Sequence, residues 1–203
     1  MNKEKYIEDL REIKEIMTRS TRFISLSGWS GISTGLIAFS GAMAAHWLVF
    51  KGRDYLVYYS VEITATDLWR LVAIAAVTLI LSIAGALYFT HRKAREQTIK
   101  VLDHQTKNLI INLLIPLATG GILSLMFMAK GYIGILPSLT LIFYGIALVN
   151  ASKYTLPEMR NLGLIQIITG LLAFQFIGLS LAFWAFGFGL VQLVYGLIIQ
   201  KKY

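Results

Sequence analysis

Residues 68–90 read LWRLVAIAAVTLILSIAGALYFT, an apolar stretch in which Arg70 is the single charged residue. A helix needs about 20 mostly apolar residues to cross the hydrocarbon core of a bilayer. Because lipid offers no hydrogen-bond partners, every backbone amide of such a segment must be satisfied within the helix. The stretch therefore predicts a transmembrane α-helix.

Similar stretches recur along the whole chain. Of its 203 residues, 56% are hydrophobic and 15% are charged, which is far more apolar than a soluble domain. Six stretches are long enough to span a membrane, at about 23–50, 68–90, 108–129, 132–150, 160–178 and 180–200. The alternating segments of about ten residues that build a transmembrane β-barrel do not occur. The sequence predicts an all-α polytopic membrane bundle with six transmembrane helices over residues 23–203.

Basic residues orient these spans. Fifteen of the 19 Lys and Arg residues fall on one side of the bilayer, and the other side holds only Lys51, Arg53, Arg70 and Lys130. Basic residues are retained on the cytoplasmic side, so both termini are predicted to be cytoplasmic. The cluster at 91–95 is interpreted as an anchor of this kind, with contact to anionic headgroups of membrane lipids as the alternative. Nucleic acid is not an expected partner, because no aromatic residues interleave the basic ones in a stripe.

Two segments outside the spans are amphipathic. Residues 1–22 predict a cytoplasmic helix whose apolar face is formed by Tyr6, Leu10, Ile13 and Met17. Residues 94–109 repeat apolar positions at helical spacing and are predicted to extend the third span into the cytoplasm. We expect the two apolar stripes to pair with each other; the alternative is a separate protein partner bound to the face of residues 1–22. Thr66 or Asp67 is predicted to cap the second span.

Internal repetition groups the spans in pairs. The odd-numbered spans share a Thr-Gly step at Thr34-Gly35, Thr119-Gly120 and Thr169-Gly170, and the even-numbered spans share a glycine at Gly85, Gly145 and Gly196. Repeats of this kind indicate a repeated structural unit. The sequence predicts three helical hairpins of the same orientation.

Small residues predict where helices approach closely. Ser27, Gly31 and Gly35 recur at four-residue intervals on the first span, and Gly170 and Gly196 are predicted to act in the same way, because helices in lipid associate by close packing of small residues. The seam of the first span faces either another span or a second copy of the chain, so a homo-oligomer is left open.

Ionisable groups are nearly absent at depth. All eleven acidic residues fall outside the spans and cysteine is absent; the three histidines are far apart in sequence. No catalytic residue, metal or cofactor is therefore expected. The remaining polar side chains form a candidate intramembrane cluster of Asn112, Gln166, Gln192, Thr34, Thr119 and Thr169. Gln166 and Gln192 occupy equivalent repeat positions and are predicted to hydrogen-bond to each other, with a ligand site as the alternative.

The last hairpin carries a family resemblance. Its two helices read LGLIQIITGLL over residues 162–172 and FGLVQLVYGLI over residues 188–198. This pattern resembles the hairpin repeat of the HdeD-type acid-resistance membrane proteins, small six-span bacterial proteins with three such hairpins. Residues 152–163 are also similar to a group of uncharacterised bacterial six-span proteins. The resemblance implies a bacterial inner (plasma) membrane protein and transfers no active-site residue.

Two functions are consistent with these features. The first is a small, non-enzymatic accessory protein of the inner membrane, structural or stress-related, that works through its cytoplasmic helices. The second is a transporter or channel for a small neutral or lipidic substrate, lined by the amides and threonines. The second function requires those polar side chains to face one lumen.

Overall fold

The computed structural model describes residues 27–50, 64–96 and 104–202, and nearly all of these residues are helical. The first three helices are α1 (Gly28–Ala45, continued by a π-helical turn at His46–Phe50), α2 (Ala65–Glu96) and α3 (His104–Ala129). They are followed by α4 (Leu136–Ala151) and α5 (Glu158–Gln175). The last run consists of α6 (Ser180–Trp184), a π-helical segment (Ala185–Val191) and α7 (Gln192–Lys202). We call residues 180–202 the sixth helix.

Five of the six helical runs are long and apolar enough to cross a membrane. These are Gly28–Phe50, Ala65–Lys93, Thr106–Ala129, Ile133–Ala151 and Ile177–Lys202. The predicted all-α membrane bundle is thereby confirmed. α5 has 18 residues, about 27 Å of helix, but its first turns hold Glu158, Arg160 and Asn161, which lower its hydropathy. That α5 also crosses the membrane, which would make six spans, therefore stays a prediction.

The predicted N-terminal helix over residues 1–22 lies outside the described residues, as does most of the loop between the first two spans. At the end of that loop, the predicted cap of the second span is wrong. α2 begins at Ala65, and the backbone N–H of Asp67 donates to the hydroxyl of Thr64 at 3.3 Å. Thr64 therefore caps the helix, and Asp67 in the first turn pairs with Arg70 at 3.3 Å.

α1 and α2 run antiparallel to each other, as do α4 and α5, and also α1 and the sixth helix. α2 packs mainly against α1 and α3 mainly against α4, so that these two helices are outermost, whereas the sixth helix contacts α1, α4 and α5. At one end of the bundle Lys202 pairs with Glu158, and Gly28 lies beside Gln200. The first and last described residues therefore lie at the same end.

The closest approach between α4 and α5 is a pair of facing glycines. A Cβ atom added to Gly145 would lie 2.6 Å from the carbonyl oxygen of Gly163, and one added to Gly163 would lie 2.6 Å from that of Gly145. Farther along the same interface, Gly170 lies against Leu141 and Ile142 of α4. Because neither backbone leaves room for a side chain, these two helices pack at a distance that only glycine permits.

A second glycine seam joins α1 to the sixth helix. A Cβ at Gly196 would lie 2.5 Å from the backbone nitrogen of Ile32, and one at Gly31 would lie 2.9 Å from the Cα of Gly196. Farther along α1, a Cβ at Gly35 would lie 2.8 Å from the carbonyl oxygen of Gly189. Ser27 is buried just before α1, where its carbonyl accepts the Ser30 hydroxyl. The small-residue face of α1 is thus covered by another helix of the same chain.

Candidate functional site

Gln166 lies at the centre of the contact between α4, α5 and the sixth helix. Its side chain is 0% exposed, and its Nε2 donates to the carbonyl oxygen of Gly187 at 2.8 Å. Its Oε1 has no hydrogen-bond donor and faces the Cα of Gly187, where a Cβ would approach to 2.6 Å. An amide buried in this way joins α5 to the sixth helix through one hydrogen bond and one close backbone contact.

The π-helical segment at Ala185–Val191 shapes this contact. At its end, the backbone N–H of Gln192 bonds to the carbonyl of Gly187 five residues earlier, which is the π-helical pattern. The side of Gly187 on which a Cβ would stand faces Gln166 and Leu141, and the corresponding side of Gly189 faces Phe39 of α1. The segment therefore packs closely on helices at two of its faces, and two glycines make that possible.

A row of aromatic side chains joins α4 to the sixth helix. The ring of Phe188 lies 5.0 Å from that of Trp184 and 4.9 Å from that of Tyr144. The Trp184 indole Nε1 donates to the Thr140 hydroxyl at 3.2 Å. The Gln192 Nε2 donates to the Tyr144 hydroxyl at 3.1 Å. These contacts hold the polar tips of two aromatic residues at an interhelical interface.

The predicted hydrogen bond between Gln166 and Gln192 is wrong. Gln166 bonds to the backbone of Gly187, and Gln192 bonds to Tyr144. The oxygens of both amides have no hydrogen-bond donor. The equivalent repeat positions did predict two amides in the interior, but the π-helical segment supplies a carbonyl that Gln166 can reach.

The other predicted polar residues bond within their own helices. In each case the acceptor is a backbone carbonyl oxygen three or four residues earlier. The Thr169 hydroxyl donates to Ile165, the Thr119 hydroxyl donates to Ile115, and the Asn112 amide donates to Asn108. The Thr34 hydroxyl donates to Ser30 and Gly31. Thr169 is buried beside Gly187 and so belongs to the Gln166 site. Thr119, by contrast, is exposed on α3. The structure brings together Gln166 and Thr169, with Gln192 at the neighbouring aromatic row.

The sequence interpretation missed two buried serines. Ser138 is 0% exposed and Ser180 is 1% exposed, and the Ser138 hydroxyl has no hydrogen-bond partner. Each follows a short 3₁₀ turn, Ile133–Ile135 or Ile177–Leu179, and these turns contact each other. An Ile-Gly step precedes a serine in both the second and the third hairpin, and this repetition could have predicted that the two serines occupy equivalent places.

The chain matches no family model, no curated protein and no solved structure. The resemblance to the HdeD-type proteins therefore stays a prediction. Within the three described ranges, no group of three His, Asp or Glu side chains is placed to hold a metal ion. The Gln166 site consists of neutral polar groups, and the chemistry open to it is hydrogen bonding.

Replacing Gln166 by leucine removes the bond to Gly187 together with the amide oxygen that lacks a donor. We expect the free energy of unfolding in mixed micelles to fall by less than about 1 kcal/mol, because interhelical hydrogen bonds in membranes average about 0.6 kcal/mol. Gln175→Leu is the control, since Gln175 is exposed at the end of the same helix. A loss several times larger for Gln166→Leu would show that the amide has a role beyond that of an interhelical tie.

Proposed function

We propose that the protein is a small, non-enzymatic accessory component of the inner membrane, structural or stress-related, whose helices form a closed bundle. The observation that carries this proposal is the hydrogen bond made by the most buried side-chain amide. Gln166 is fully buried and bonds to the backbone of the neighbouring helix at Gly187. An amide that ties two helices in a tightly packed interior is a structural element rather than the lining of a solute path.

The distribution of the other polar groups supports the same proposal. A path through the bundle would require Asn112, Thr119 and Gln166 to face one lumen. In the structure Thr119 is exposed on the outermost helix α3, and both Thr119 and Asn112 bond to their own backbone. A cleft of about 500 Å³ lies between α1 and α2, outside the contact of α4, α5 and the sixth helix.

A transporter or channel for a small neutral or lipidic substrate remains the second candidate, because one observation favours it. Three buried polar atoms near the sixth helix have no hydrogen-bond partner, namely Gln166 Oε1, Gln192 Oε1 and Ser138 Oγ. Buried polar atoms are nearly always paired, and those that are not call for an explanation. Water or a substrate entering the bundle would satisfy them.

The accessory role also needs surfaces that meet other molecules. α2 and α3 have only 6% and 11% of their most apolar windows buried, against 28 to 33% for the other three candidate spans. We propose that these two helices face lipid or a membrane partner, with both termini in the cytoplasm. Arg160, Lys201 and Lys202 lie at the end of the bundle where Lys202 pairs with Glu158, and this excess of basic residues supports that orientation.

Thiol labelling tests the closed bundle directly, because the chain has no cysteine of its own. Gln166→Cys and Gln192→Cys proteins in liposomes would be treated with a membrane-impermeant, water-soluble methanethiosulfonate reagent. We expect both to stay unlabelled, because a thiol in a dry interior is not reached by water or by the charged reagent.

Two further cysteines serve as controls. Lys153→Cys, in the exposed turn after α4, should be labelled, whereas Ile168→Cys, 58% exposed on the lipid-facing side of α5, should not. Labelling of Gln166→Cys at a rate close to that of Lys153→Cys would refute the closed bundle and favour a lumen. Size-exclusion profiles of all four proteins would establish that they remain folded.

A further inference from the structure

A basic and aromatic cleft lies near the C-terminal end of α2. It is lined by Tyr88, His91, Arg92 and Arg95 and has a volume of about 320 Å³. This volume lies within the range of small-molecule sites. We propose that this cleft binds the headgroup of an anionic phospholipid, with one acyl chain lying along α2.

The side chains match the chemistry of a phosphodiester. A guanidinium group can donate two parallel hydrogen bonds to phosphate oxygens, and the cleft holds two of them, on Arg92 and Arg95. Tyrosine favours the headgroup level of a bilayer, and the Tyr88 side chain is 62% exposed. The charge and the aromatic ring therefore meet at the depth where a lipid phosphate lies.

A separate apolar groove lies farther along the same face of α2. The groove has a volume of about 500 Å³ and lies between α1 and α2; Ile74, Val77 and Leu81 line its α2 side. The step from Leu81 to Tyr88 is seven residues, and the next steps to Arg92 and Arg95 are four and three. Residues at such intervals share one face of a helix. A lipid bound by its headgroup would therefore have its acyl chain directed toward the groove.

The distance along α2 from the cleft to the groove matches the thickness of one leaflet. Ten residues separate Leu81 from His91, which corresponds to about 15 Å along a helix. Half of the hydrocarbon core of a bilayer is also about 15 Å. The end of an acyl chain would thus reach Leu81, where the groove between α1 and α2 begins.

Lipid-retention measurements on the purified full chain would test the site. The protein in a non-ionic detergent would be titrated with dioleoyl-phosphatidylglycerol or dioleoyl-phosphatidylcholine, and bound lipids would be counted by native mass spectrometry. We expect preferential binding of phosphatidylglycerol. Arg92→Gln combined with Arg95→Gln should weaken it by about 30-fold, the factor expected for two basic residues at an anionic headgroup.

The matched control removes two basic residues elsewhere at the same end of the bundle. Lys153 and Arg160 are both exposed around the turn between α4 and α5. Lys153→Gln combined with Arg160→Gln should leave phosphatidylglycerol binding nearly unchanged. An equal loss in both double variants, or no preference for phosphatidylglycerol in the native protein, would overturn the proposal.

A second variant tests the path of the acyl chain. Leu81→Trp fills the near end of the groove and should weaken binding of dioleoyl-phosphatidylglycerol while leaving that of dihexanoyl-phosphatidylglycerol unchanged. Loss of both lipids, or of neither, would refute the acyl path. Displacement of dioleoyl-phosphatidylglycerol by millimolar inorganic phosphate would overturn the lipid assignment and identify a site for free anions.

Discussion

The Gly196→Ala variant is expected to lose about 1–3 kcal/mol of unfolding free energy, the usual range for a side chain forced into a packed interior. The new Cβ would lie 2.5 Å from the nitrogen of Ile32 and 2.8 Å from the carbonyl oxygen of Gly28. Both are backbone atoms, which cannot rotate away as a side chain can. Relief of the clash therefore requires α1 to move off the sixth helix.

The position of tryptophans makes this movement measurable. Trp29, Trp47 and Trp69 belong to the α1–α2 half of the protein, and Trp184 lies on α6. Unfolding of Gly196→Ala in mixed micelles with increasing SDS would be followed by tryptophan fluorescence. The Trp184→Phe substitution would also be present, so that the remaining tryptophans report on the α1–α2 half alone. Because α2 packs mainly on α1, we expect the α1–α2 half to unfold at a lower SDS fraction than in Trp184→Phe alone.

The control for this variant is another glycine. Gly121 lies inside α3, and a Cβ atom added to it would have nothing within 4 Å. Gly121→Ala should be neutral or slightly stabilising, because alanine favours helix more than glycine does. If Gly196→Ala were as stable as Gly121→Ala, the seam between α1 and the sixth helix would not exist as described.

The Gly163→Ala variant is expected to destabilise the contact between α4 and α5 to a similar extent, by about 1–3 kcal/mol. Its Cβ would lie 2.6 Å from the carbonyl oxygen of Gly145 and 2.8 Å from the Cγ2 of Val149. The valine can yield in part, but the carbonyl belongs to the facing backbone. SDS unfolding measures the loss, with Trp184 as the reporter in a background in which Trp29, Trp47 and Trp69 are replaced by phenylalanine.

The reciprocal arrangement allows a sharper test of the same contact. Gly145→Ala meets the carbonyl oxygen of Gly163 at 2.6 Å, so either substitution alone forces the same two helices apart. The double variant should therefore cost clearly less than the sum of the two single losses, because contacting sites are not additive. Strict additivity would mean that the two glycines act at independent places.

Much of the fold could be predicted from sequence because it rests on local properties. The apolar length of residues 68–90 decides that they form a membrane helix, whatever surrounds them. The same criterion located the other helices, and it is weakest at α5, where Glu158 and Arg160 stand in the first turn. Repetition also indicated that Gln166 and Gln192 lie at comparable places in two helices.

The partners of these residues could not be predicted in the same way. Gln166 was expected to meet Gln192, yet it bonds to a carbonyl of Gly187 inside a π-helical segment. No local pattern predicts that irregularity, because a π-helical turn forms where packing compensates for it. The bond between Gln192 and Tyr144 likewise depends on how α4 lies against the sixth helix.

Helix class, approximate helix positions and the predicted orientation follow from the chain alone, since apolar length and flanking charge are properties of each segment in its solvent. Which helix meets which was decided only in three dimensions. Gly196 faces α1 and Gly145 faces α5, across the hairpins that the repeat defines rather than within them. The reason is physical: glycines mark where backbones can approach, but the rotation and order of the helices select the backbone that fills the space.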